Sequence, residues 1–357
     1  MSERLRVAVV GGGIGREHIA AYRALPEQYE LLAICDVDAD KARALAEQHG
    51  IPRYTPDLDD LCGMGDLDVI DICTPPHLHV PQVLRVLAAG KHAVCEKPLA
   101  SSIRDVDRLI EASAAASRQV MPIFQYRFGH GLQKLKHLVD QGLAGKTYLA
   151  TVETAWRRRA EYYAVPWRGK WRTELGGALL GHAIHAHDLL NYIAGPARSV
   201  YARTATRVNP IEVEDCAAAS LELADGGLAT LAVTLGSPAE ITRHRFCFAE
   251  LTAESNTRLY TSSGDPWVFT GDSPAADARI AEALAGFEPL PEGFAGQLLR
   301  FHRALRDGTT LPVTLADARA SLELITAMYA SARSGQAVAL PLGPDHPNYA
   351  GWLPEMD

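Results

Sequence analysis

The chain has 357 residues, more than one hydrophobic core comfortably serves, so it reads as two domains. Its formal net charge of -8, with both signs interspersed, offers no basic surface for nucleic acid or for an anionic membrane, and leaves small-molecule chemistry as the expected work. No stretch approaches the roughly 18 apolar residues of a membrane span, and Met1 to Arg6 carry no apolar leader, so a cytoplasmic protein is expected.

Leu5 to Val10 is a β-branched apolar run, Gly11 to Gly15 interrupts it, and Ile19 to Leu25 resumes with helical spacing. The same unit recurs as strand Leu31 to Cys35 with helix Lys41 to His49, then strand Val69 to Cys73 with helix Val80 to Ala89, then strand Ala93 to Cys95. Ser102 with Asp105 marks a helix start, Ile103, Val106, Leu109 and Ile110 form its apolar face, and Val120 to Phe124 is the next strand. Continuous apolar strands separated by amphipathic helices predict a parallel sheet covered on both faces. The six cysteines (35, 62, 73, 95, 216 and 247) form no CxxC, and three end apolar strands, as buried thiols of a reducing compartment do.

Glycines after a first strand let a backbone approach a pyrophosphate, while the following helix offers its free N–H groups. Here the run is Gly11, Gly12, Gly13, Ile14 and Gly15. It is not an exact GxGxxG, and a plain tight turn is the alternative. Asp36 follows the second strand, where an acid meets the adenosine ribose hydroxyls and repels a 2'-phosphate, so NAD is favoured over NADP. Asp38 competes for that role, and Asp36 could instead cap a turn. Thr74, Pro75 and Pro76 end the third strand and would shape a cofactor cleft, with His79, more than His77, as a candidate lining residue. Ala93 to Pro98 delivers Glu96 and Lys97 to the carboxyl end of the sheet, where open α/β folds bind ligands. Pro98 restricts the Lys97 backbone. A surface Glu-Lys pair is the plainer reading.

After Gly145 the texture changes to alternating strands: Thr147 to Trp156, Ser199 to Arg207, Cys216 to Leu223, Leu228 to Thr234 and Arg245 to Thr252. They predict a mainly antiparallel sheet with one covered face, and Asp225-Gly226-Gly227 reads as a hairpin turn. Phe294 to Leu305 and Ala316 to Ala332 read as amphipathic helices returning to the first domain, and Val338 to Leu342 is strand-like. Between the first of these strands and Gly176 lies an aromatic and basic segment with Trp156, Arg157, Arg158, Arg159, Tyr162, Tyr163, Trp167, Arg168, Trp171 and Arg172. Aromatic faces stack on sugar rings and guanidinium groups hold hydroxyls or an anionic substituent, against the alternative of a solvated loop.

Taken together, Gly11 to Gly15 with His18, Asp36, Thr74-Pro75 with His79, Glu96-Lys97-Pro98, the Gln125 to Phe128 segment, Gly176-Gly177-Ala178-Leu179, and His185 with Asp188 resemble the glucose-fructose oxidoreductase, inositol dehydrogenase and rhizopine catabolism (Gfo/Idh/MocA) family. The resemblance spans nearly the whole chain. It implies an α/β N-terminal Rossmann dinucleotide-binding domain over 1-124 and an α+β C-terminal domain over 125-357 with a large, mainly antiparallel sheet that also serves homo-oligomer formation. It implies an NAD-dependent oxidoreductase acting on a secondary alcohol of a sugar, glycoside or cyclitol. Carried over, Gly11, Gly13, Ile14, Gly15, Asp36, Thr74, Pro75, His79, Glu96 and Lys97 are expected at the cofactor, and Lys97, His185 and His182 in proton transfer. Arg127, Trp156, Arg157, Arg158, Tyr163, Trp167, Arg168 and Trp171 join Lys97 and the two histidines as expected substrate contacts. Many relatives carry an aspartate four residues before the histidine; here that position is Gly181, and His182 stands next to it. Were residues 178 to 190 one helix, Gly181, His182 and His185 would share a face. A metal held by His182, His185 and Asp188 is geometrically conceivable, but a histidine pair with a structural aspartate accounts for the same residues, and no metal is expected. Two other activities fit the fold: a redox glycosidase that recycles NAD, and a non-catalytic ligand sensor.

Overall fold

The computed structural model describes residues 4–354. Residues 1–3, part of the stretch read as lacking a leader, lie outside the described residues. The chain divides into two compact units, one running up to Phe124 and taking in Phe294–Arg319, the other comprising Gln125–Gly293 and the chain from Ala320 onward.

The first unit holds a six-stranded, wholly parallel sheet of β1 (Leu5–Val10), β2 (Tyr29–Cys35), β3 (Arg53–Thr55), β4 (Val69–Ile72), β5 (His92–Cys95) and β6 (Val120–Pro122), in the order β3-β2-β1-β4-β5-β6. Helices α1 (Gly15–Arg23), α2 (Ala39–His49), α3 (Leu58–Gly63), α4 (His79–Ala88) and α5 (Ile103–Ala116) connect them. Every residue of β4 is buried, Asp71 included, so neither face of the strand meets solvent. Ser102 caps α5 by accepting from the Asp105 N–H, as the sequence predicts. β3 and α3 carry too few residues for a periodicity and escape sequence reading. α11 (Gly293–Asp307) closes this unit: the Gln297 amide accepts from Phe124 N and donates to Pro122 O, and the Tyr29 hydroxyl donates to Leu298 O.

The second unit is built on an eight-stranded sheet, in the order β13-β12-β11-β7-β10-β9-β8-β14. Its strands are β7 (Thr147–Arg157), β8 (Ala197–Ala205), β9 (Cys216–Leu223), β10 (Leu228–Thr234), β11 (Gly236–Phe248), β12 (Leu251–Glu254), β13 (Val268–Gly271) and β14 (Val338–Ala339). All neighbouring pairs are antiparallel except β10 with β7. Along β10, Ala229, Leu231 and Val233 are buried while Leu228, Thr230 and Ala232 are exposed, so one face is covered. The hairpin at Asp225-Gly226-Gly227 is present, with Gly226 at φ +88. The single strand expected over Arg245 to Thr252 is instead two, reversing at Ala249 and Glu250. That turn has no glycine or proline to announce it, because its amides are satisfied by Lys146 O and Ala144 O. The remaining helices are α6 (His130–Asp140), α7 (Ala160–Tyr163), α8 (Trp171–Glu174), α9 (Ile184–Ala194), α10 (Pro274–Ala285) and α12 (Leu315–Ser334). All six cysteines are free, with Cys35, Cys73 and Cys95 buried. No helix among the described residues is long and apolar enough to cross a membrane.

Candidate active site

β1 ends at Val10 and the chain turns at Gly11, φ +98, where a Cβ would lie 2.6 Å from Cys73 O. Only glycine lets the ends of β1 and β4 pass this closely. Gly13 has nothing within 4 Å of its Cβ position and Ile14 is largely exposed, so the turn opens outward there. α1 then starts at Gly15 without a side-chain cap, which leaves N–H groups of its first turn for an anion. These features fit a dinucleotide pyrophosphate.

Asp36 is buried at the end of β2. One carboxylate oxygen accepts from Gly12 N (2.8 Å) and Lys41 Nζ (2.6 Å), the other from Asp38 N (3.1 Å). Burial pushes its carboxyl up, but the Lys41 hydrogen bond and the Gly12 and Asp38 amides outweigh it, so the acid titrates below its ordinary range. Asp38, the competing acid, caps α2.

Two residues expected at the cofactor turn inward. His79 is fully enclosed: Nδ1 lies 2.7 Å from Pro98 O and Nε2 2.8 Å from Thr74 O, so the ring braces the two loops instead of lining a cleft. Glu96 is buried too, with Oε1 3.0 Å from His18 Nε2 and Oε2 accepting from Lys97 N at 3.0 Å. The Thr74 hydroxyl donates to Gln82 Oε1, and Pro75 leads into the short turn Pro76–Leu78. The side chain of Lys97 is half-buried.

In the second unit residues 178 to 190, whose histidines would share a face were they one helix, are divided between two elements. Ala178–His182 forms a wide turn, with Ala183 N donating to Ala178 O, before α9 begins at Ile184. The widened turn sends the histidines to different neighbours. His182 meets Trp156 edge-on (5.5 Å) and Tyr162 (5.3 Å), whereas His185 stacks on Tyr126 at 4.4 Å. The turn is anchored by Glu214, which is buried and accepts from Gly177 N, Leu179 N and the Tyr329 hydroxyl. A Cβ on Gly177 would sit 1.8 Å from Glu214 O, so this approach requires glycine. Burial, only partly offset by those donors, raises the Glu214 carboxyl to about 7. Asp188 is taken by Arg127, bidentate at 2.7 and 2.6 Å, and by the Ser321 hydroxyl, which removes it from any ligand set with the histidines. His187 is buried near His244; burial first, then His244, pushes it down to about 3.

The aromatic and basic segment divides. The Arg158 guanidinium lies over Trp156 (5.0 Å) and Tyr162 (5.3 Å) and donates to the Tyr260 hydroxyl, and the Arg168 guanidinium also lies over Tyr162 (3.9 Å) and over Trp167 (4.3 Å). Tyr163 meets Tyr162 edge-on. Three expected substrate contacts fall elsewhere. Arg127 is buried against Asp188 with its guanidinium over Tyr192. Arg157 is exposed on the opposite side of β7 from buried Trp156, as strand alternation demands. Trp171 packs on Tyr329, which stacks on Trp352. Three residues that sequence reading passed over join the cluster: Tyr126, Tyr260 and Glu174. Glu174 is buried, accepts from Gly169 N and Arg168, and its Oε1 lies 3.6 Å from where a Cβ on Gly181 would be. A carboxylate so close to Gly181 in sequence was a usable signal; Tyr260 had none.

The description "Oxidoreductase family, NAD-binding Rossmann fold" matches residues 5–124, and "GFO/IDH/MocA C-terminal domain" matches 132–252. The chain belongs to the Gfo/Idh/MocA oxidoreductase family. Its first unit is thus the NAD-binding Rossmann domain of this Gfo/Idh/MocA protein. The crystal structure of the WlbA dehydrogenase from Bordetella pertussis in complex with NADH and UDP-GlcNAcA superposes with a TM-score of 0.83 at 31% identity, over 95% of this chain and all of that one. The D-glucoside 3-dehydrogenase of Escherichia coli is 27% identical over 95% of this chain and 98% of its own length. An uncharacterized oxidoreductase of Synechocystis is 30% identical over 63% of this chain, a match spanning 64% of that protein.

Asp36→Ser is expected to weaken NAD binding about tenfold and to improve NADP relative to NAD, because Lys41 loses its carboxylate; titrating both nucleotides against wild type and variant checks this. Glu214, raised from 4.5 to about 7, adds stability that is complete below pH 4.5 and is lost as pH rises through 7. The loss is on the order of 3 kcal/mol. Denaturation of Glu214→Gln at pH 5 and pH 8 should lack most of that decline.

Proposed function

We propose that the protein is an NAD-dependent dehydrogenase that oxidises a secondary ring hydroxyl of a sugar or glycoside bearing a negatively charged group. The observation that carries this reading is the second-unit cluster in which His182 meets the rings of Trp156 and Tyr162, the first faced by the Arg158 guanidinium and the second by those of Arg158 and Arg168, with His185 stacked on Tyr126 in the same unit. Each guanidinium has one carboxylate at 3.3 Å, Glu240 for Arg158 and Glu174 for Arg168, and a planar fork has further N–H groups to offer a ligand. The WlbA relative, solved with UDP-GlcNAcA, and the relative named D-glucoside 3-dehydrogenase support a carbohydrate and a ring hydroxyl. Six free thiols support a reducing compartment such as the cytoplasm. Exposed Tyr148, Tyr201, Leu228 and Val268 on the large sheet support a homo-oligomer.

NAD, when bound, supplies the hydride acceptor at nicotinamide C4. Lys97, presented from the end of β5, holds the reacting hydroxyl, and His185 takes its proton as the carbon is oxidised. Stacking on Tyr126 fixes the plane of the His185 imidazole, so its ring nitrogen is aimed without further ordering. Glu174 provides the carboxylate beside Gly181 and holds Arg168 over Tyr162.

The deciding measurement is absorbance at 340 nm with a parallel product assay, on purified protein given NAD and a panel of neutral and anionic sugars, cyclitols and aryl glycosides. NADH formed one-for-one with oxidised sugar is the expected result. Aglycone release that needs NAD without net NADH would replace this reading with the redox glycosidase, and no turnover on any substrate with intact ligand binding would favour a sensor. Lys97→Ala should keep NAD binding and lose about a thousandfold in turnover. Gly181→Asp alone should lower thermal stability and activity, since it sets a second carboxylate against Glu174; combining it with Glu174→Gln should recover much of both.

A further inference from the structure

Beneath Lys97 the first unit contains a buried polar cluster that the cofactor cradle does not use. His18 on α1 and Asp71 on β4 are fully buried, and Glu96 nearly so. His18 Nδ1 lies 2.8 Å from Asp71 Oδ2, and Nε2 lies 3.0 Å from Glu96 Oε1. The other oxygen of Glu96 accepts from the backbone amide of Lys97. The ring of Phe294 covers the imidazole at 4.5 Å.

We propose that His18 is the positioning residue for Lys97: by bridging Asp71 to Glu96 it fixes the carboxylate that holds the Lys97 amide, and so sets where the lysine side chain is presented. This rests on the reading of Lys97 as the residue that holds the reacting hydroxyl.

Ionised carboxylates only accept hydrogen bonds, so a ring facing one at each nitrogen is satisfied in full when both nitrogens carry protons. Burial opposes that charge, but Asp71 outweighs it and holds the imidazolium above its ordinary range. Glu96 responds in kind: burial pushes it up, while the His18 hydrogen bond and charge, then Lys97, bring it below. The other titratable groups facing the cluster stay neutral in the working range. Burial raises the Tyr22 and Tyr29 hydroxyls and the Cys73 and Cys95 thiols, and it lowers His79 on the Glu96 side. Tyr22 also donates to Asp71, filling a lone pair the histidine leaves. One imidazolium between two acids is what lets three ionisable groups share one buried site, and the geometry is correspondingly stiff. His18, Asp71 and Cys73 could also gather around a metal ion, since their ligand atoms lie within 4.8 Å of one another. That alternative would require Nδ1 to give up its proton.

The test uses full-length apoprotein and steady-state kinetics together. Histidine ring 15N spectra at pH 7 should contain one imidazole protonated at both nitrogens, absent from His18→Gln. The Lys97 amide proton should move upfield in His18→Gln, as its carboxylate partner loosens. With NAD and the best substrate, His18→Gln should lose ten- to a hundredfold in kcat, with KM and NAD affinity within about threefold, the split expected of a misaimed group. Glu96→Gln leaves the His18–Asp71 pair in place and should reproduce the kcat loss, so it carries the test if His18→Gln does not fold. A singly protonated His18 at pH 7, or one equivalent of metal in the purified protein, overturns the proposal. Wild-type kcat in both variants alongside an inactive Lys97→Ala overturns the bridge alone, whereas an active Lys97→Ala overturns the reading of Lys97 itself.

Discussion

The carboxylate of Glu96 has two oxygens and gives each a separate task, one to a side chain on α1 and one to the backbone of its own neighbour. A parallel sheet leaves its strand ends loose, because the ladder stops and the next element has not begun. At the end of β5 that looseness is removed by a buried acid, whose desolvation would be prohibitive without the imidazole opposite it.

The same device recurs at the other loops that carry site residues. Asp36 holds Gly12 N beneath the glycine turn, Glu174 holds Gly169 N, and Glu214 holds Gly177 N and Leu179 N at the start of the histidine segment. Asp215 gathers the amides of Arg207, Val208 and Asn209 in a single oxygen pair. Each of these bonds goes to a donor that no strand or helix satisfies, and where the acid is held ionised, as Asp36 is, the bond is charge-assisted and about twice as strong as a neutral one. The acidic balance of the composition is therefore partly an internal scaffold, which a net charge by itself does not reveal.

The second unit differs in how it treats its cations. Arg127 is consumed by Asp188 as part of the core, while Arg158 and Arg168 lie over aromatic faces with part of their surface still open. Three arginines of similar promise in the sequence thus have two fates, decided by depth: a fully buried guanidinium must be fully paired, and one with part of its surface open need not be.

The sequence by itself determined the alternation of strand and helix in the first 124 residues, the glycine turn, the acid after β2, the placement of Lys97 at a strand end and the family, because these depend on local periodicity and short-range spacing. It also carried most strands of the second sheet, whose one covered face imposes alternation. What only tertiary structure decided is which side chains turn inward. His79 and Glu96 are adjacent to loops that read as cofactor-facing, yet their partners are Thr74, Pro98 and His18, brought together by strand order and not by spacing. The break at Ala183 and the turn at Ala249 were equally out of reach, since each is stabilised by contacts between segments whose proximity exists only after the sheet has formed. Periodicity states which face of an element is buried; it does not state what that face meets.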